Sequence, residues 1–252
     1  MTDPLHPVWA RAHLALQMIA ADPQAFGGIL LRARAGPVRE AFLDLLPSNT
    51  RRIHPGIQDD QLFGRIDLNA TLTKGSVVLE KGLIQHDGPL ILGMAERASA
   101  SLAARLARVL DSDCPNAIIA LDEGIDDEAA PLTLSDRLAF HIDLTDLTHR
   151  DLARLETQSV SDIGPAKAQD ADIQQIANIA EAFGVTSLRA GCMALRAAQI
   201  NAGLAGRSEV GSADIEAAIA LVLIPRATQL PQTEEDQPDD DTPPPEGDDQ
   251  ES

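Results

Sequence analysis

The rhythm of apolar positions divides the chain in two. Val8–Ala21 places Trp9, Ala12, His13, Leu16, Ile19 and Ala20 at helical spacing and stops at Asp22-Pro23. Three short, largely apolar stretches follow at Ile29–Ala33, Leu90–Met94 and Ala117–Leu121, and Ala139–Leu144 reads as a last strand. Runs of this length without alternation predict strands buried on both faces, as in a parallel sheet covered by helices. Helical patterns at Val38–Leu46, Ala98–Leu110 and Leu132–Leu138 separate them. Leu62–Leu83 breaks into small apolar pieces around Gly64, Gly75 and Gly82, which predicts a hairpin and helix inserted before the next core strand. Arg51–Gln61, polar and carrying Pro55-Gly56, reads as a loop.

After Arg150 every apolar pattern is helical: Asp151–Val160, Ala168–Phe183, Ser187–Leu204 and Asp214–Leu223. The expected architecture is an α/β subdomain over residues 1–149 and an all-helical subdomain over 150–228. Residues 229–252 form a third region. It holds ten acidic residues and no basic one, and Pro231–Ser252 has five prolines and no large apolar side chain. Such a segment cannot bury a core and is expected to be disordered.

Composition narrows the function classes. A net charge of −19 repels phosphate backbones and anionic lipid, which excludes nucleic acid and membrane surfaces as partners. The longest apolar run, Ala217–Ile224, cannot span a bilayer, and the N-terminus lacks a signal-peptide pattern, so a cytoplasmic location is expected. Cys114 and Cys192 form no CxxC pair and are expected to be buried and inert, and the six histidines show no metal-ligand spacing.

Candidate chemistry sits after two of the predicted strands. Ile29–Ala33, a turn and a helix have the order of a phosphate-binding loop. That loop needs glycines for close approach, a lysine on the phosphates and a hydroxyl on Mg²⁺. Here the eight positions read Ala33, Arg34, Ala35, Gly36, Pro37, Val38, Arg39 and Glu40. Both glycines are replaced and Pro37 has no N–H. Arg39 keeps the positive charge, and Glu40 stands where the hydroxyl would be. Leu90–Met94 ends on Ala95-Glu96, where a nucleotide-hydrolysing domain presents an acidic pair.

These features together resemble the AAA+ ATPase module of the magnesium chelatase family, in its D-subunit form. Phe26-Gly27-Gly28-Ile29 matches the glycine entry to the family's phosphate loop, with RARAGPVRE standing in for the intact loop of the I subunit. LFGRIDLNATL resembles its inserted hairpin, and Gly206-Arg207-x-Glu209-Val210-x₃-Asp214-Ile215 its helical lid. The resemblance implies an αβα domain with a parallel sheet, a helical lid and an acidic linker, with a von Willebrand A-type metal-binding domain to follow.

It also implies roles. Glu96 is the remnant of the acidic pair, either a water-activating position or a structural carboxylate. The sensor-1 asparagine position falls near Gly124, so that contact is missing. Arg137 in Ser135-Asp136-Arg137-Leu138 resembles an arginine finger that reaches a neighbour's γ-phosphate, the alternative being a cap or ion pair on its own helix. Arg189 resembles the sensor-2 arginine, the alternative being a surface ion pair. Gly36 and Arg39 are the weak remains of a cofactor site. ATP and Mg²⁺ are expected mainly on the partner I subunit of a ring, and protoporphyrin IX on the H subunit, for Mg²⁺ insertion in (bacterio)chlorophyll synthesis. The rivals are a MoxR-like interaction or chaperone module and an ATPase with an unusual phosphate site.

Overall fold

The computed structural model describes residues 6–112, 116–125, 127–152 and 164–229. Cys114, most of the helix expected at Asp151–Val160 and the acidic segment after residue 229 lie outside the described residues. In chain order the elements begin with α1 (Pro7–Ala21), α2 (Pro23–Phe26), β1 (Gly28–Arg32), α3 (Pro37–Leu43), β2 (Arg51–Ile53) and α4 (Asp59–Phe63). Next come β3 (Gly64–Ile66), α5 (Leu68–Lys74), β4 (Leu79–Lys81), β5 (Leu90–Leu92), α6 (Ala100–Leu110) and β6 (Ile118–Asp122). The last are α7 (Leu132–Ser135), β7 (Phe140–Asp143), α8 (Asp170–Ala182), α9 (Leu188–Leu204) and α10 (Ser212–Ala218).

Five strands form one parallel sheet in the order β2-β5-β6-β1-β7, and β3 pairs with β4 antiparallel as a separate hairpin. Side chains alternate across the sheet. Ile29, Leu31, Ile119, Leu121 and Phe140 face one apolar cluster, while Leu90, Leu92, Ile118 and Ala120 face another. Both faces of the central strands are therefore buried, which is why β5 and most of β1 and β6 read as apolar, whereas edge strand β7 alternates Phe140-His141-Ile142-Asp143.

The first cluster runs without interruption into the helical part. Trp9, Met18, Phe26 and Phe140 share it with Ala190, Met193, Ala197, Ile215 and Leu221. With aromatics at 2% of the chain, alanines on α9 (Ala190, Ala194, Ala197, Ala198 and Ala202, all buried) let backbones approach closely. Arg196 on α9 donates to Asp22, the N-cap of α2, at 2.8 Å. Asp214, fully buried on α10, accepts from Arg207, Asn201 and the Gly211 N–H. Burial pushes its carboxyl up, but the Arg207, Gly211 and Asn201 bonds outweigh that and hold it below the usual range.

Two expectations differ from the structure. Arg51–Gln61 is not all loop: Arg51–Ile53 is an edge strand pairing with β5, and α4 begins at Asp59. Only Ile53 of that strand is buried, so its sequence carries no apolar run to betray it. Cys192 is exposed, because it lies on the outward side of α9 beside buried Met193. Arg105 of α6 pairs with Asp59 of α4.

Candidate functional site

Open parallel sheets bind ligands at the carboxyl ends of their strands. Here β1 enters through Gly27 and Gly28, both at positive φ. A Cβ on Gly27 would stand 2.2 Å from the Arg137 carbonyl oxygen, and one on Gly28 1.8 Å from that of Ile118. The double glycine thus seats the strand against β6 and brings the Arg137 segment onto its start.

At the far end of β1, Ala33–Gly36 turns into α3. Arg39 on α3 is largely buried and forms an ion pair with Glu123, just beyond β6. Its Nε is buried with no partner. Glu40 is exposed. Arg32 donates to the Gly124 carbonyl at 2.9 Å, and Asp122, 3% exposed, accepts from the Gly124 N–H at 2.8 Å. Glu96, also buried, accepts from the Glu123 N–H at 3.1 Å. The segment after β6 is therefore tied down by Arg32, Arg39 and Glu96 together. Ala95 is fully buried in the second apolar cluster. A hollow of about 190 Å³ over the loop is lined by residues 33–38 together with Leu144, Thr145, Leu147, Thr148 and His149.

A second group of charges gathers where α6, α7 and α9 meet. Arg137 donates through Nε (2.8 Å) and Nη2 (2.7 Å) to one oxygen of Asp111, and through Nη1 to the Thr133 carbonyl at 2.8 Å. Arg189, in the first turn of α9, lies 3.1 Å from the other Asp111 oxygen and 3.7 Å from Asp136. Ser187, the N-cap of α9, donates to Asp136 at 2.9 Å. Exposed leucines flank the group: Leu132 at 80% and Leu188 at 83%.

Beside it opens a cleft of about 680 Å³ between the two parts of the molecule, lined by Asp136, Arg137, His141, Ser187 and Arg226 among others. Arg226 donates to the carbonyls of Leu138, Ala139 and Val222, stitching the end of the helical part to β7. His141 Nε2 lies 2.9 Å from the Ser135 carbonyl and 3.0 Å from Arg226. Burial, and then the adjacent guanidinium, push the His141 pKa down to about 4.

The five residues proposed from sequence thus fall into two places. Arg39, Gly36 and Glu96 belong to the strand-end group, and Arg137 and Arg189 come together on Asp111. Sequence reasoning missed Asp111, Glu123 and the Arg226–His141 pair. Asp111 alone left a trace: an acid closing α6 faces the negative end of the helix dipole, which calls for a cationic partner.

This sheet order with a helical lid defines the AAA+ class. The AAA lid domain family matches residues 173–246. A crystal structure of a candidate ATPase from Cytophaga hutchinsonii shares the fold, with a TM-score of 0.63 at 17% identity, covering 86% of this chain and 84% of that one. The magnesium-chelatase 60 kDa subunit of Cereibacter sphaeroides is 40% identical over 247 residues, covering 94% of this chain and 43% of the relative. That of Rhodobacter capsulatus is 39% identical over 232 residues, covering 87% and 41%. The chain is thus similar over most of its length to these magnesium-chelatase subunits, and it spans less than half the length of the relatives it matches.

The residues at the strand ends do not fit Mg²⁺-ATP, which the AAA+ class implies. The one cation of the loop's lysine position already pairs with Glu123 of the same chain. Pro37 offers no N–H to a phosphate, and Ala95 puts a methyl in an apolar cluster where the metal-holding acid would stand. The hollow over the loop is also smaller than the roughly 300–1,000 Å³ of ordinary ligand sites.

Proposed function

We propose that this chain is the AAA+ part of a magnesium chelatase D-type subunit that does not itself hydrolyse ATP. It assembles with the ATP-hydrolysing I subunit and passes that subunit's cycle to Mg²⁺ insertion into protoporphyrin IX, held by the H subunit. Residues 1–149 serve as the αβα subdomain, 150–228 as the lid and 229–252 as an acidic linker. The observation that carries this reading is the Arg39–Glu123 pair, which uses the phosphate-loop cation internally while Arg137 and Arg189 remain partly exposed elsewhere.

In this reading Arg137 acts on the neighbour's γ-phosphate, with Arg189 beside it. A guanidinium brought across a subunit boundary stabilises charge that develops on the transferring phosphoryl group. Glu96 keeps a structural role, holding the segment after β6 through the Glu123 N–H.

The test mixes the full-length subunit with an I-type subunit and ATP. Arg137→Ala should lower partner-dependent hydrolysis by about tenfold or more while the mixed complex still forms. An unchanged rate would leave Arg137 as an ion pair on its own helix. If no mixed complex forms with nucleotide present, the MoxR-like interaction module takes the place of the chelatase reading.

A further inference from the structure

Asp111 divides its two carboxylate oxygens between two arginines from different parts of the molecule. Oδ2 takes both bonds of Arg137, which follows α7 in the α/β part, and Oδ1 faces Arg189 on α9 of the helical part. Three of the five N–H groups of Arg137 are committed, two to Asp111 and one to Thr133, so its plane is fixed. The two that remain are available to an incoming oxygen. Arg189 is held more loosely, by Asp111 and at longer range by Asp136, and its side chain is 40% exposed.

Two guanidiniums this close repel unless a carboxylate stands between them. Asp111 does so from an unfavourable place, the carboxyl end of α6, where the helix dipole opposes a negative charge. Its carboxyl is nonetheless held below the usual range: the Arg137 hydrogen bond is the largest cause, and together with the two arginine charges it outweighs burial. Asp136, a second carboxylate nearby, is tied to Ser187 and, of these two arginines, pairs with Arg189. Among the described residues, Asp111 is therefore the one carboxylate paired with both arginines.

We infer that Asp111 is the positioning residue of this arginine pair: it holds Arg137 and Arg189 side by side so that both meet one anionic partner, the terminal phosphate of a neighbour's nucleoside triphosphate. Through Arg189 it also ties that pair to the lid. This rests on the reading that the arginines act on a neighbouring subunit. Asp111 itself touches no substrate.

The test uses the full-length subunit with its ATP-hydrolysing partner. Asp111→Asn keeps the shape and removes the charge. It should lower the kcat of partner-dependent hydrolysis by about tenfold, with the KM for ATP within about twofold and the mixed complex retained. Asp111→Glu should recover most of the loss. Arg189→Ala should cost several-fold alone but less than about twofold in the Asp111→Asn background, since an arginine no longer held has little left to lose. A kcat within about twofold of wild type for Asp111→Asn, alongside a large loss for Arg137→Ala, would overturn the inference and leave the proposed function standing. Loss of the complex by Asp111→Asn would overturn it too, because Asp111 would then determine assembly. If Arg137→Ala and Arg189→Ala are both silent, the underlying reading fails, and the inference with it.

Discussion

Ala95 and Arg39 show how far single residues carry the functional reading. Ala95 stands where an acid is expected, and the surrounding cluster of Leu90, Leu92, Leu102 and Leu106 leaves that acid no polar partner. Ala95→Asp should therefore destabilise the fold, by about 2–4 kcal/mol in denaturant unfolding, and restore no ATP hydrolysis. A neutral effect on stability would mean that the site can still accept a metal-holding acid. The replacement was legible in the sequence because strand, acid and helix are local. The pairing of Arg39 with Glu123 was not, because 84 residues separate them and only the β1–β6 register brings them together. Asp111 was hidden for the same reason, lying 26 residues from Arg137.

Among the elements, those with strong periodicity were read correctly and those held by a few contacts were not. β1, β5 and β6 announce themselves as largely apolar stretches, whereas β2 owes its place to pairing with β5 and to Ile53 alone. The Gly206–Ile215 pattern marked the lid, and its physical basis is the buried Asp214 with Arg207. The junction of β7 with the end of the helical part depends on Arg226 and His141, which no spacing advertises. His141 stays neutral in the fold down to about pH 4, whereas unfolded histidine binds a proton near pH 6.5. Between those values the unfolded state binds more protons, so stability is complete above about 6.5 and falls as pH drops towards 4. His141→Gln should remove that part of the pH dependence, worth up to about 3 kcal/mol across the window. Parallel unfolding profiles for the two proteins would show that His141 is free to charge in place.

For the whole molecule, the continuous core from Trp9 through Phe140 to Leu221 fixes the helical part against the sheet. Arg196–Asp22 and the Asp111 group reinforce that join at the surface. The mixed α/β class with a helical lid was legible in the sequence. What the folded chain adds is the reason the changes in the phosphate loop are coherent: the charges left at the strand ends satisfy one another, while the two arginines gather at a separate edge. The most direct test is equilibrium binding and turnover of ATP by the isolated chain with Mg²⁺. No saturable binding into the millimolar range and no phosphate release are expected. Saturable binding with steady turnover would contradict a subunit whose chemistry lies at its neighbour's site.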